Sequence, residues 1–324
     1  MGQVVIADYW FENTDEERRI IEGAGHTLRT YHCKTEDELI QAARDADVLI
    51  VQFAKVTDRV IRSLKRCKCI VRYAIGVDVI DVEAATKRNI YVCNVPDYCI
   101  DEVSNHAIAM LLSLSRKLPQ VSESVKNGSW DYRKVQPVSK MLGRTLGVIG
   151  FGRIGARVSD KMSNFGVDIV TCDPWIHDER SLQHRAHKVD LETLLRTSDY
   201  ISLHVPLDKQ TYHLLDDAQF ALMKKGVILI NTSRGPVINE EALVRALDDG
   251  IVAGAGMDVF EKEPLPMDSP LRKRENVILT PHFAWYSDES VTTLQKSAAR
   301  EAVRVLNGEP PKNLINKSIL GKGI

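Results

Sequence analysis

Three closely spaced glycines in the middle of the chain constrain its fold more than any other feature. Gly150, Gly152 and Gly155 directly follow the apolar run 146–149 and open a stretch with helical spacing. In this pattern the first glycine permits a tight turn, the second lets the backbone approach a pyrophosphate, and the third allows close packing of helix on strand. The helix N-terminus adds unpaired N–H donors. The pattern predicts a dinucleotide-binding strand–turn–helix unit.

An acidic residue after the next predicted strand indicates which dinucleotide is bound. The run 167–172 ends at Asp173, 18 residues past Gly155, where a carboxylate can accept hydrogen bonds from ribose hydroxyls. That carboxylate would repel a 2′-phosphate, and Pro174 and Trp175 beside it supply no compensating cation, so NAD is predicted over NADP. The alternative is a glycine-rich turn in an ordinary α/β protein, with Asp173 as a solvated loop residue.

Apolar β-branched runs alternate with helical patterns in two series along the chain. This alternation is typical of parallel sheets covered by helices on both faces, and it predicts an α/β protein with two doubly wound domains. A long helix from Asp101 through Leu118 separates the series, 119–144 is a polar surface excursion, and an amphipathic helix over Ser287–Leu306 is placed to return to the first domain. The predicted strands lie at 4–6, 48–51, 70–74, 91–95, 146–149, 167–172, 200–203, 227–231, 253–257 and 277–280.

The composition excludes several kinds of partner. The 324 residues are 44% hydrophobic, enough for two domain cores, and 43 basic against 44 acidic residues leave a net charge of −1. This balance gives no long-range attraction to nucleic acid or to an anionic membrane, so neither is an expected partner. The N-terminus lacks the pattern of a signal peptide, so a cytoplasmic location is expected. Six cysteines without C-x-x-C spacing predict neither a disulfide framework nor a metal site.

Three ionisable residues follow predicted strands of the second series, where a doubly wound sheet binds its ligands. They are Arg234, Glu263 and His282. An imidazole titrates near neutrality and suits proton transfer, a carboxylate on its other nitrogen fixes the tautomer, and a guanidinium grips a substrate carboxylate with two hydrogen bonds. Together they predict hydride exchange between a nicotinamide and a carbinol or carbonyl carbon.

Each of these residues alone also fits a structural role. His282 is compatible with a capped loop residue, Arg234 with a ligand of a helix-terminal carbonyl or an acid, and Glu263 with a solvated loop charge. The prediction therefore depends on the three side chains converging. His106, on the long helix, is expected to be structural.

The motifs 150–155, 231–235, 258–264 and 280–282, in this order, resemble the D-isomer-specific 2-hydroxyacid dehydrogenase family. The resemblance implies that Arg234, Glu263 and His282 form the catalytic set. It also implies a Rossmann-type NAD domain, 99–288, inserted into a flavodoxin-like substrate domain built from 1–98 and 289–324.

The resemblance carries further expectations about binding residues. The segments 281–287 and 94–96, together with Arg72, make the chain most similar within the family to the C-terminal-binding-protein branch. That branch pairs an NAD fold with corepressor activity, and the resemblance implies a homodimer through the long helix. Where the family's substrate loop has a glycine, this chain has Ala74, which puts the shape of the substrate in question. The implied substrate contacts are Arg72, Ile75, Gly76 and Trp285, and the implied cofactor contacts are Gly150, Gly152, Arg153, Ile154, Gly155, Asp173, Val205, Thr232 and Asp258.

Two of the implied substrate contacts have structural alternatives. Arg72 is compatible with a buried ion pair to Asp78 or Asp81, and Trp285 with packing between domains. The predicted function is an NAD-dependent reductase of small 2-oxo acids that acts reversibly on D-2-hydroxy acids. The alternatives are an NAD(H)-sensing, corepressor-like scaffold with vestigial catalysis, and a dehydrogenase of phosphite or another inorganic anion.

Overall fold

The computed structural model describes residues 1–320 and contains twelve strands and twelve α-helices within that range. The strands are β1 (Gln3–Ile6), β2 (Thr27–Thr30), β3 (Val48–Val51), β4 (Cys69–Arg72), β5 (Tyr91–Cys93), β6 (Thr145–Ile149), β7 (Asp168–Cys172), β8 (His187–Lys188), β9 (Tyr200–Leu203), β10 (Val227–Asn231), β11 (Val252–Met257) and β12 (Val277–Leu279). The helices are α1 (Asp15–Gly23), α2 (Glu36–Ala43), α3 (Asp58–Ser63), α4 (Val82–Lys87), α5 (Ile100–Ser115), α6 (Leu118–Lys126), α7 (Arg153–Met162), α8 (Asp178–Gln183), α9 (Leu191–Thr197), α10 (Asp217–Phe220), α11 (Glu240–Asp248) and α12 (Asp288–Leu306).

The chain divides into two compact units. The first comprises Met1–Cys99 and the segment that begins at Tyr286, and the second comprises Ile100–Trp285, so the second unit interrupts the first in the sequence. The predicted substrate-domain segment 289–324 includes residues 321–324, which lie outside the described residues.

The first unit is built on a five-stranded parallel sheet in the order β2-β1-β3-β4-β5. This is the flavodoxin-like strand order. Every residue of β3 and β4 is buried, because helices cover both faces of the sheet. Helix α12 packs against α1 and against β4.

The second unit is built on a seven-stranded parallel sheet in the order β12-β11-β10-β9-β6-β7-β8. The order reverses next to β6, as in the Rossmann fold, and the crevice outside the carboxyl ends of the strands at such a reversal is where these sheets bind ligands. The predicted α/β architecture of two doubly wound parallel sheets is therefore confirmed.

The structure differs from the predicted elements in several places. The long helix α5 begins at Ile100 and ends at Ser115, and Asp101 accepts a hydrogen bond from Lys161 Nζ at 2.9 Å inside the first turn rather than capping the helix. Lys117 has a left-handed backbone (φ 50°), which ends the helical path, and α6 then starts at Leu118 and occupies the first part of the segment predicted to be an excursion. Strands β2 and β8 were not predicted.

Candidate active site

The glycine turn after β6 leaves no room for side chains at two of its three glycines. Gly150 has a φ of +86°, and a Cβ added there would lie 2.6 Å from the carbonyl oxygen of His204. A Cβ on Gly155 would collide with the carbonyl oxygen of Gly150, so only glycine lets α7 pack this closely against the turn. His204 itself is half-buried and bonded to Ser202 Oγ at 2.8 Å, and desolvation of its ring lowers the pKa of His204 to about 3.

The remaining glycine of the turn faces open space. Gly152 is the N-cap of α7 and, as a glycine, has no side chain to cap the first amides of that helix, and a Cβ added to Gly152 would meet nothing within 4 Å. An uncapped helix N-terminus beside a surface without a side chain can bind a pyrophosphate through backbone N–H groups. The turn therefore fits a dinucleotide.

Asp173 joins the glycine turn to the end of β7. Its Oδ2 accepts the N–H of Phe151 at 2.7 Å, and its Oδ1 accepts the N–H of Trp175 at 2.8 Å. The residue is half-buried, and each carboxylate oxygen has a second acceptor site, so the side chain can accept further hydrogen bonds from ribose hydroxyls.

A buried hydroxyl next to β10 supports the fit to a nicotinamide cofactor. Thr232 follows the last residue of β10, and its Oγ1 is buried and has no hydrogen-bond partner among the described residues 1–320. A buried hydroxyl usually has a partner, and a carboxamide group of a bound ligand would supply one. Val205 and Asp258 follow the neighbouring strands β9 and β11 at the same edge of the sheet.

The structure brings His282 and Glu263 into direct contact. His282 Nδ1 lies 2.8 Å from Glu263 Oε2, and Glu263 Oε1 accepts the N–H of Phe260 at 3.0 Å. Burial opposes ionisation of Glu263, but the hydrogen bond and charge of His282, the Phe260 amide and the charge of Arg234 outweigh it and lower the pKa of Glu263. A carboxylate only accepts hydrogen bonds, so His282 Nδ1 carries the proton of this bond and Nε2 is the nitrogen left for chemistry.

Two neutral residues position Arg234 beside this pair. The fully buried Asn231 accepts the N–H and the Oγ–H of Ser233 at 2.9 and 2.7 Å and donates from Nδ2 to the carbonyl of Arg234 at 2.9 Å. Gly235 lies directly against the backbone of Phe260, where a Cβ would collide. The Arg234 turn and the Glu263 loop are thus in backbone contact, which explains why the charge of Arg234 acts on Glu263.

Asp258 holds the loop that carries His282. Its carboxylate, 1% exposed, accepts the hydroxyl of Thr280 at 2.5 Å and the N–H groups of Phe283 and Ala284 at 2.8 and 3.0 Å. The family resemblance implies a cofactor contact for Asp258, and these hydrogen bonds were not predicted. The Thr280-Pro-His282 motif was the available signal, because it follows the strand that neighbours β11.

Three of the predicted substrate contacts lie in the first unit. Arg72 ends β4, is buried, and places its guanidinium 5.9 Å from the centre of the Phe53 ring. Asn94 Nδ2 donates to the carbonyl of Ile75 at 2.5 Å, which fixes the loop that contains Ile75 and Gly76. Asp81, one alternative partner of Arg72, caps α4 through the N–H of Ala84 at 2.9 Å.

Tyr73 connects this loop to a buried acid. Its hydroxyl donates to Glu17 Oε1 at 2.6 Å, and Gln295 Nε2 donates to Glu17 Oε2 at 3.0 Å. Burial raises the pKa of Glu17. The network ties the residue after Arg72 to α1 and α12, and sequence patterns gave no signal for it because its three members lie far apart in the chain.

A cavity of about 590 Å³ lies at the carboxyl edge of the sheet in the first unit. It is lined by residues that follow β1, β2 and β3, including Asp8, Trp10, His32, Phe53 and Lys55. None of the predicted site residues lines it. Trp285, the last residue of the second unit, is half-buried.

The part of the chain that the structure describes contains no cluster of three His, Cys, Asp or Glu side chains able to hold a metal ion. Within the same residues, no helix combines the length and apolar character needed to cross a membrane.

Comparison with known proteins identifies relatives over nearly the whole chain. Residues 108–284, more than half of the chain, match the family model described as D-isomer specific 2-hydroxyacid dehydrogenase, NAD binding domain. A glyoxylate reductase from Thermofilum pendens is 39% identical over 295 residues, which cover 88% of this chain and 86% of the relative. A D-3-phosphoglycerate dehydrogenase from Methanocaldococcus jannaschii is 40% identical over 284 residues, covering 87% of this chain and 54% of that longer protein.

Solved structures of the same family resemble the fold of this chain. The D-lactate dehydrogenase of Aquifex aeolicus, complexed with NAD and lactic acid, superposes with a TM-score of 0.86 at 30% identity over 94% of this chain and 96% of that one. These comparisons do not single out the C-terminal-binding-protein branch, and they give no support to a corepressor-like scaffold.

Proposed function

Since the chain belongs to the D-isomer specific 2-hydroxyacid dehydrogenase family, we propose that it interconverts small 2-oxo acids and D-2-hydroxy acids with His282 as the acid–base group. The family assignment makes the protein an NAD-dependent oxidoreductase. The observation that carries the finer proposal is the 2.8 Å contact between His282 Nδ1 and Glu263, with the charge of Arg234 acting on the same carboxylate.

The three side chains divide the chemistry of the reduction. NADH, when bound, would supply a hydride for the carbonyl carbon of the substrate. His282 donates the Nε2 proton to the carbonyl oxygen as it becomes a hydroxyl, and Glu263 stabilises the imidazolium from the other side of the ring. Arg234 binds the substrate carboxylate with two hydrogen bonds and polarises the adjacent carbonyl. In the oxidation, neutral His282 removes the hydroxyl proton.

The geometry of the second unit supports a set of proposed cofactor contacts. The pyrophosphate would bind to the glycine turn and the first amides of α7, which comprise Gly150, Gly152, Arg153, Ile154 and Gly155. Asp173 would accept hydrogen bonds from the ribose hydroxyls and disfavour a 2′-phosphate. Thr232 and Asp258, with Val205, contact the nicotinamide side. The buried Thr232 hydroxyl supports this assignment because it has a free hydrogen-bonding site.

We also propose that Arg72, Ile75, Gly76 and Trp285 contact the substrate, that 1–98 with 289–324 is the substrate domain, and that 99–288 binds NAD. Arg72 would meet the substrate carboxylate. A homodimer through α5 is part of the same proposal, and a monomeric mass at micromolar concentration would reject it.

The substrate is tested by following NADH consumption with glyoxylate, pyruvate, hydroxypyruvate, a 4-methylthio-substituted 2-oxo acid and aromatic 2-oxo acids, with phosphite and NAD as a separate arm. Glyoxylate is the first choice because relatives carry that activity in their names. His282→Ala should lower kcat severely and leave NADH binding nearly unchanged. The proposal fails if a preparation that binds NADH reduces none of these acids, or if His282→Ala keeps the wild-type kcat.

A further inference from the structure

A chain of hydrogen bonds joins helix α5 to the loop that carries His282. His106 Nε2 on α5 lies 3.0 Å from Thr280 Oγ1, and Thr280 Oγ1 lies 2.5 Å from Asp258 Oδ1. Asp258 in turn accepts the N–H groups of Phe283 and Ala284, the two residues that follow His282. His106 and Thr280 are 174 residues apart in the sequence, so the link exists only in the folded unit.

Counting protons fixes the direction of every bond in this chain. The carboxylate of Asp258 accepts two backbone N–H groups and can accept but not donate toward Thr280. The single proton of the Thr280 hydroxyl is therefore used on Asp258. His106 must then donate from Nε2 to the remaining lone pairs of Thr280 Oγ1, so its Nε2 is protonated.

The loop held by these bonds has a strained backbone at the reactive residue. His282 has a φ of +54°, a left-handed conformation that residues with a Cβ rarely adopt. The N–H of His282 is bonded to the carbonyl of Asp258 at 2.8 Å, and the ring of His106 contacts that of Phe283 edge-on, with centres 6.0 Å apart. The Asp258 side chain and backbone thus hold the loop on both sides of His282.

We propose that His106 and Thr280 are positioning residues for the acid–base group. His106 holds the Thr280 hydroxyl in a fixed orientation, and this hydroxyl orients the Asp258 carboxylate toward the amides of Phe283 and Ala284. These bonds fix the loop so that His282 Nδ1 contacts Glu263 and Nε2 is directed toward the substrate. The inference rests on the proposed function, and it extends the structural role that the sequence predicts for His106.

The first test compares Thr280→Val, which removes the hydroxyl at nearly constant shape, with Thr280→Ser, which keeps it. Thr280→Val should lower kcat for 2-oxo acid reduction about tenfold, the effect expected for losing one hydrogen bond to a charged group. The KM for the oxo acid and the Kd for NADH should stay within about twofold, and Thr280→Ser should restore most of kcat. His106→Leu and His106→Gln form a second pair with the same expected order, since a Gln amide can still donate to Thr280.

Amide hydrogen exchange at Phe283 and Ala284, measured without cofactor, is the second readout. Thr280→Val should speed exchange at these two amides and leave the amides of β6 unchanged. The proposal is overturned if Thr280→Val keeps kcat within twofold of wild type, if Thr280→Ser fails to restore it, or if exchange at both amides is unaltered. If the wild-type protein reduces no 2-oxo acid, the proposed function fails. A change in amide exchange in Thr280→Val would then show that the hydrogen bonds hold the loop but do not serve this reaction.

Discussion

Two glycines of the same turn are expected to fail in different ways when changed to alanine. A Cβ on Gly152 meets nothing within 4 Å and the residue has an ordinary φ of −68°, whereas a Cβ on Gly155 collides with the carbonyl oxygen of Gly150. We therefore expect Gly152→Ala to fold normally and lose cofactor binding, and Gly155→Ala to lose stability.

The sizes of the two effects follow from the contacts. If the new methyl group keeps the pyrophosphate from even one helix N–H, the loss of about 1.5–3 kcal/mol corresponds to a Kd for NADH about 10- to 150-fold higher. At Gly155 the gain in helix propensity of about 1 kcal/mol opposes an overpacking cost of about 1–3 kcal/mol. The overpacking cost prevails because the obstructing atom belongs to the backbone of the Gly150 turn and cannot rotate away.

The assay pairs fluorescence titration of NADH with urea unfolding for both variants and the wild type. Gly152→Ala should unfold within about 1 kcal/mol of the wild type and bind NADH weakly, and Gly155→Ala should show a lower free energy of unfolding. The reasoning is refuted if Gly152→Ala binds NADH as tightly as the wild type, or if Gly155→Ala is equally stable.

Three further substitutions test the catalytic set. Arg234→Lys should lower kcat/KM for the oxo acid about 10- to 100-fold with an unchanged Kd for NADH, because a point charge cannot reproduce the two-pronged contact; equal losses for both ligands would contradict this. Glu263→Gln should lower the free energy of unfolding at pH 7, measured with urea. The difference from wild type should shrink as the pH falls below about 4.5, because the lowered pKa of Glu263 in the folded state stabilises the protein only while this carboxyl is ionised. A difference that is independent of pH would contradict this reasoning. Gly235→Ala should lower both kcat and the free energy of unfolding, by about 1–3 kcal/mol for the latter, and a variant with normal kcat would show that the contact with Phe260 does not position Arg234.

The strands buried on both faces could be predicted from the sequence, and so could the edge strands β5 and β12, whereas the edge strands β2 and β8 could not. The run Val48–Val51 is apolar at every position and all four residues are buried, so the pattern and the structure coincide. Edge strand β2 has the sequence Thr-Leu-Arg-Thr with one buried residue, which no run of apolar residues marks. Helix α6 was missed for a similar reason, since none of its residues is buried.

The candidate site shows the same division. Arg234, Glu263 and His282 are recognisable because each follows a strand of one sheet, and the contact between His282 and Glu263 agrees with the role predicted for each. Neither the left-handed backbone at His282 nor the bond from His106 to Thr280 has a recognisable signal in the sequence. Both depend on loop conformation and on a helix that is distant in the chain.

The charged residues of the site depend on uncharged contacts for their arrangement. Asn231 shapes the turn that presents Arg234, and Gly235 is the point where that turn touches the Glu263 loop. Asp258 is ionisable, but its carboxylate accepts its hydrogen bonds from a hydroxyl and from two backbone amides, and His106 Nε2 lies 3.8 Å from its Oδ1. The parallel strands β10, β11 and β12 end side by side, and the catalytic residues follow them. A small displacement at any of these contacts therefore separates groups that must act on one substrate. Replacing Asn231 or Gly235 by another uncharged residue should therefore reduce kcat about as much as replacing Arg234 itself, although neither residue is expected to touch the substrate.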